Sequence, residues 1–254
     1  MQLPRTLNRK IGRAMHDYSM LADGDRVLVA VSGGIDSLVL LAVLHLWQKK
    51  APITYLLHPL HVDMEPETHG QGAAAEAIGQ QVAQLGLQLQ VLPAQYHPNP
   101  DEIAAASAGG QDLCFQCARS RRTQLFAYAR DQGYNVLALG HHRDDIIETF
   151  LLNLTCAGNI STMSPKQTLF SGRLHLIRPL AYLDKAEIEP LGQSFGFEPV
   201  RSACPLAEKT RRRDIHELAE QIYAQLPGAK EHIFAALGNV RRDYLLKQTG
   251  GRRP

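Results

Sequence analysis

The stretch Arg26-Val27-Leu28-Val29-Ala30-Val31-Ser32-Gly33-Gly34-Ile35-Asp36-Ser37 decides how this chain folds. Residues 27–31 are apolar without alternation, as in a parallel strand covered on both faces. Ser32, Gly33 and Gly34 break the run, and residues 37–49 are strongly helical. That succession puts the glycine bend at the carboxyl edge of an open parallel sheet, where such sheets bind ligands. The glycines let the backbone approach an anion with no Cβ in the way. N–H groups at the helix start then point at phosphate oxygens, and Ser32 and Ser37 can add hydroxyl donors. Asp36 is an anion and does not attract phosphate; it suits a Mg²⁺ that bridges phosphates. The Gly-Lys-Ser/Thr ending of a Walker A loop is absent. The competing reading is an ordinary strand–helix turn capped by Ser or Asp.

Working outward, apolar runs at 53–62, 87–92, 135–139 and 174–177 read as further strands. Helical patterns cover 5–20, 70–85, 117–131, 144–154, 185–195, 211–226 and 229–247. The alternation predicts an α/β fold, a Rossmann-like doubly wound parallel sheet of about five strands in the order 3-2-1-4-5. Residues 1–254 are read as a single domain, with an N-terminal helix in 1–24 and a helical extension in 205–254. Residues 93–112 carry little periodicity and read as a loop with some helix.

The sheet order makes strands one and four neighbours. It therefore brings a second segment, Leu139-Gly140-His141-His142-Arg143-Asp144-Asp145, to face the glycine bend. Asp144 or Asp145 can share a metal with Asp36. His141 and His142 read equally as buried, satisfied histidines or as catalytic ones. Asp63, after the second strand, is placed either to meet a nucleoside or to cap the strand end.

The chain has 254 residues, 44% hydrophobic, with a formal net charge of +2. That charge announces no nucleic-acid binder, so an anionic partner must meet local basic patches. No apolar run approaches the ~20 residues that span a bilayer, and basic residues 1–10 precede no apolar signal core, so a cytoplasmic protein is expected. A disulfide framework is not expected there. Of the four cysteines, Cys156 ends an apolar helix and reads as packing. Cys114 and Cys117 stand one turn apart just before a helix, near Arg119, Arg121 and Arg122, where thiolates are stabilised. Cys204 adds a distant third thiol. A redox pair, a zinc site and an iron–sulfur site all remain open. A structural zinc wants four ligands, whereas three cysteines on a [4Fe–4S] cluster leave one iron open to sulfide or substrate.

Together, Ser32 to Ser37, Cys114-x-x-Cys117 with its trailing arginines, Gly140 to Asp145, Ile177-Arg178-Pro179-Leu180 and Cys204 resemble the tRNA 2-thiocytidine biosynthesis enzymes of the PP-loop ATP pyrophosphatase superfamily. The likeness covers residues 7–240. It implies ATP with Mg²⁺ and a [4Fe–4S] cluster ligated by Cys114, Cys117 and Cys204. It also implies adenylation of the C2 oxygen of a tRNA cytidine, then replacement of that oxygen by sulfur held at the open iron. Catalytic roles fall to Asp36, Asp144, Asp145, Cys114 and Cys117. Nucleotide contacts fall to Val31, Ser32, Gly33, Gly34, Asp36, Ser37, Asp63 and Gly140, with Asp36 on Mg²⁺. A homodimer, tRNA as partner and a sulfur donor such as a cysteine desulfurase are also implied. Basic elements for tRNA are Arg5, Arg9, Lys10 and Arg13, residues 119–122, residues 211–213, and Arg241 with Arg242.

The chain departs from the family pattern in three places. Ile35 stands where the family usually has Lys, so the nucleotide charge falls to Mg²⁺, Arg143 or Lys166. Ser164-Pro165-Lys166 replaces Pro-Pro-Lys. Residues 61–71 and those after Cys204 differ in composition, and a second cysteine near Cys204 is missing. A small-molecule or other nucleobase substrate, a non-catalytic nucleotide binder and a zinc-stabilised adenylating enzyme are the competing functions.

Overall fold

The computed structural model describes residues 1–65, 71–99, 101–103, 113–200 and 211–246. Strands β1 (Arg26–Ala30), β2 (Leu56–Asp63), β3 (Gln90–Pro93), β4 (Val136–Ala138), β5 (Lys166–Leu169) and β6 (Leu174–Ile177) form one sheet in the order β3-β2-β1-β4-β6-β5. Helices α1 (Arg5–Asp17), α2 (Ile35–Gln48), α3 (Ala73–Ala83), α4 (Leu113–Asp131), α5 (Arg143–Cys156), α6 (Lys185–Ser194), α7 (Arg211–Gln225) and α8 (Ala229–Ala236) surround it.

The expected five parallel strands are present in the expected order, with 174–177 as the strand beyond β4. The correction is a sixth strand, β5, which pairs antiparallel with β6 at the edge. Its four residues, Lys-Gln-Thr-Leu, are half-buried or exposed, so no apolar run announces it. Antiparallel edge strands on parallel sheets are common because an edge needs no second covered face.

Alternation along β1 sorts the helices onto the two faces. Val27 and Val29 are fully buried with α1, α2 and α6 on one side. Leu28 points the other way, onto Leu60, Leu137, Leu174 and Ala129 of α4. Helix α2 is buried from Leu38 through Leu44, apolar all round, because it is enclosed by the sheet, α1 and α6. The C-terminal helices pack elsewhere: Ile215 and Ala219 of α7 bury Ile147 and Leu151 of α5.

Two further readings are corrected here. Cys156 is exposed rather than packed. It lies five residues beyond Leu151, about 140° around the helix from it and opposite the Ile147 side. The helix expected over 229–247 stops at Ala236.

Candidate active site

The glycine bend follows β1 as the sequence requires. Gly33 adopts φ +89°, a conformation that L side chains rarely take. A Cβ there would also stand 2.7 Å from Cδ1 of Ile78. The two serines hold the bend together. The Ser37 hydroxyl donates to the Gly34 carbonyl at 2.8 Å and accepts from Ser32 N–H at 3.1 Å. Ser37 is buried and shapes the loop. Gly34 is the N-cap of α2 and brings no side chain to it; Ser37 N–H turns back to the Gly34 carbonyl at 3.1 Å, which leaves the N–H groups of Ile35 and Asp36 to an incoming anion.

Beside the bend, β4 leads into Gly140, which sits against the first turn of α2. A Cβ on Gly140 would lie 2.9 Å from the Asp36 carbonyl carbon and 3.0 Å from Ser37 N. The two motifs therefore touch backbone to backbone. His142 bridges them. Its ring lies 3.3 Å from both Asp144 and Asp145 and 3.9 Å from Asp36. Burial works against its charge, but the close Asp144 carboxylate and the charges of Asp145 and Asp36 prevail and raise its pKa. His142 thus reads as a structural tie between the loops.

The aspartates divide by environment. Asp144 is turned toward the C-terminal helices, where Lys230 reaches it at 2.5 Å and Lys185 N–H donates at 2.9 Å. Burial opposes its charge, yet the neighbouring His142 ring, Lys230 and the Lys185 N–H hold it well below the usual carboxylate range. Asp36 and Asp145 instead line a cavity of about 340 Å³ at the carboxyl edge of the sheet. Both carboxylate oxygens of Asp36 are 2.8 Å from Lys185 Nζ. No sequence signal links residues 149 positions apart.

Ile35 has a plain explanation. It is 6% exposed and fills the seam between α2 and α6, so tightly that a Cβ on Gly192 would meet its Cδ1 at 2.3 Å. Position 35 faces α6, and Lys185 of that helix brings a cation to Asp36 beside the loop. Of the expected alternatives, Arg143 is tied to Asp184 and Glu231, and Lys166 donates to the Ser19 carbonyl.

The cavity is also walled by Val31, Ser32, Ser37 and Gly140, as expected, and by Asp63. Asp63 accepts Gly72 N–H at 2.8 Å and Glu65 N–H at 3.0 Å, so it caps the strand end while lining the cavity. His61, not singled out from the sequence, lies beside it with Nδ1 2.7 Å from the Val31 carbonyl. Burial is the main cause of its lowered pKa, partly offset by that carbonyl and Asp63.

The remaining wall is α4. Ala118, Arg121, Arg122 and Leu125 face the cavity at helical spacing. Cys114 and Cys117 are half-buried and continue that stripe by one turn. They lie in the first five residues of α4, not ahead of it. Cys204 lies outside the described residues.

A doubly wound sheet with a glycine bend and, at its carboxyl edge, an apolar-walled cavity carrying serines, carboxylates and arginines defines a nucleotide-binding α/β protein. Residues 3–201 match the PP-loop domain. A tRNA-cytidine(32) 2-sulfurtransferase of Xanthomonas euvesicatoria is 34% identical over 98% of this chain and 80% of its own length. One of Geobacter metallireducens is 33% identical over 95% of this chain and 92% of its own. The chain belongs to the PP-loop family, in the branch formed by these tRNA-cytidine sulfurtransferases. Its fold matches that of the U34-tRNA thiolase NcsA from Methanococcus maripaludis, solved with its [4Fe–4S] cluster, at TM-score 0.75 and 21% identity over 98% of this chain and 83% of the other.

Proposed function

We propose that this protein uses ATP to insert sulfur at C2 of a tRNA cytidine. One observation carries the reading: a single cavity has Ser32, Asp36 and Ser37 of the glycine bend on one wall and Ala118, Arg121, Arg122 and Leu125 of α4 on another, and the turn of α4 just before these residues carries Cys114 and Cys117. The nucleotide phosphates would meet the first-turn N–H groups of α2, with Arg121 and Arg122 at the rim. The cytidine oxygen attacks the α-phosphorus, pyrophosphate leaves, and sulfur then displaces AMP from C2.

The donors present suit the implied cofactors. Thiols at the start of a helix, one turn from two arginines, are soft ligands of the kind an iron–sulfur cluster takes. With Cys204 they would hold a [4Fe–4S] cluster, which supplies an iron open to sulfur. Mg²⁺ commonly binds through one or two carboxylates plus phosphates and water. Asp36 and Asp145, which line the cavity, would be those two carboxylates. Lys185 competes for Asp36. Lys185→Met is expected to lower the Mg²⁺ concentration for half-maximal ATP binding about fivefold, the scale of ~1 kcal/mol for a partly exposed pair. A Mg²⁺ titration of nucleotide binding at fixed ATP checks this, and an unchanged midpoint removes Asp36 from the Mg²⁺ site.

Exposed Arg5, Arg9, Arg211, Arg212, Arg241 and Arg242 offer a salt-sensitive tRNA surface, whereas Lys10 and Arg213 are paired with Glu187 and Glu217. No described helix is long and apolar enough to cross a membrane. A cytoplasmic homodimer fed by a cysteine desulfurase fits this reading. The test is anaerobic: iron-loaded protein, unmodified tRNA transcript, ATP, Mg²⁺ and sulfide, followed by nucleoside mass spectrometry. The expected product is 2-thiocytidine with stoichiometric pyrophosphate. Pyrophosphate release that is independent of tRNA, with no thionucleoside formed, overturns the substrate.

A further inference from the structure

His141 lines the cavity next to Gly140 and Asp145, and its role was open from the sequence. Its Nδ1 lies 3.2 Å from Nε of Arg178. A guanidinium only donates, so Nδ1 must accept through its lone pair and cannot carry the ring proton. The proton of the neutral ring is then on Nε2. Among the described residues Nε2 has no hydrogen-bond partner.

Arg178 is itself fixed. It is 6% exposed, directly after β6. Its backbone N–H donates to the Pro165 carbonyl at 2.8 Å, and its Nη1 donates to the Ser164 carbonyl. The antiparallel β5 brings residues 164–166 to that place. Three segments that the sequence presented separately thus converge: Ser164-Pro165-Lys166, Arg178 in Ile-Arg-Pro-Leu, and His141.

We propose that Arg178 locks His141 as the Nε2–H tautomer, so that His141 serves the cavity as a neutral hydrogen-bond donor to an anionic oxygen of the bound nucleotide and not as a proton acceptor. Arg178 is a positioning residue acting through that ring. The surroundings agree. Burial, together with the charges of Arg178 on the β6 end, Arg212 on α7 and neighbouring His142, outweighs Asp145 on α5 and lowers the His141 pKa to about 4. A neutral donor keeps its one N–H fixed in direction while charge accumulates on a phosphate oxygen, at no cost in proton transfer. The donor's target rests on the proposed ATP-dependent activity; the tautomer does not.

Long-range ¹H–¹⁵N spectra of the full chain at pH 7, with the His141 signals assigned by their loss in His141→Gln, read the tautomer directly. The expected pattern is protonated Nε2 and unprotonated Nδ1. A protonated Nδ1, or a doubly protonated ring, overturns the proposal. Arg178→Met is expected to give a mixed tautomer, and Arg178→Lys, which also only donates, to restore Nε2–H. A pattern unmoved by Arg178→Met overturns the lock. Binding of α,β-methylene ATP separates the donor's role. His141→Gln places an amide N–H near Nε2 and is expected to bind within about threefold of the parent. His141→Asn cannot reach and is expected to bind about tenfold more weakly. Equal loss in both, or in neither, removes the nucleotide as target while the spectra still decide the tautomer.

Discussion

Gly140→Ala is expected to weaken ATP-analogue binding at least about tenfold while the sheet stays folded. Gly140 is not among the glycines with positive φ, so left-handed backbone is not the obstacle. The obstacle is proximity. An added Cβ would lie 2.9 Å from the Asp36 carbonyl carbon, 3.0 Å from its oxygen and 3.0 Å from Ser37 N. Those are backbone atoms, so no side-chain rotation relieves the contact and the two loops must part. Overpacking of this kind costs about 1–3 kcal/mol. Much of that falls on the first turn of α2, whose N–H groups are the proposed phosphate site. A displacement of 1 Å there misaims those donors together. The register of β1 and β4 is fixed upstream, at Val27↔Val136 through Val29↔Ala138, so the fold survives. Calorimetric titration with α,β-methylene ATP, beside circular dichroism and thermal melting, checks both halves. Gly79→Ala is the control: the glycine lies half-buried in α3, a Cβ there meets nothing within 4 Å, and binding should not change. Unchanged binding in Gly140→Ala would show that the nucleotide does not use the α2 first turn.

What the sequence revealed and concealed follows from which interactions are local. The β1–bend–α2 unit was legible because a strand buried on both faces must be apolar throughout, and an anion-binding turn must lose its Cβ atoms. The approach of Gly140 to the bend was legible through topology, since β1 and β4 have to be neighbours in the predicted order. Strand β5 was not, because four half-wet residues on an edge need no pattern. Helix α4 was placed four residues late, since Leu113 is the only buried apolar residue in its first turn. Lys185 was concealed for a deeper reason. It meets Asp36 only because α6 packs on α2 through the Ile35–Gly192 seam, a contact between helices far apart in the chain. The same seam explains why an apolar residue can occupy position 35 without emptying the site of cations. The lock of Arg178 on His141 needed β5 as well, and so was doubly out of reach.

The cysteine pair makes the sharpest separation between the two halves of the proposed reaction. Cys117→Ala, and Cys114→Ala alike, is expected to abolish 2-thiocytidine formation, a loss exceeding about a hundredfold. Removing a group behind a metal ligand already costs ~10–100-fold, and a direct ligand costs more. Binding of α,β-methylene ATP should stay within about threefold of the parent. Neither thiol is among the residues lining the cavity beside the glycine bend; Arg121 and Arg122, further along the same face of α4, are. Helix α4 should persist, because Leu113, Gln124 and Ala129 anchor it and alanine favours the helix. Three measurements on one anaerobic preparation decide the matter: iron and zinc content, analogue affinity and thionucleoside yield. The parent should carry about four irons, as a [4Fe–4S] cluster demands, and either variant should lose them together with the product. If both variants lost ATP-analogue binding as well, the thiols would belong to the fold of the cavity rather than to sulfur delivery. If the parent held zinc in place of iron, the helix face would be a structural clamp beside an adenylating site. Retention of nucleotide binding with loss of iron and sulfur is the one pattern that assigns activation to the glycine bend and sulfur to the start of α4.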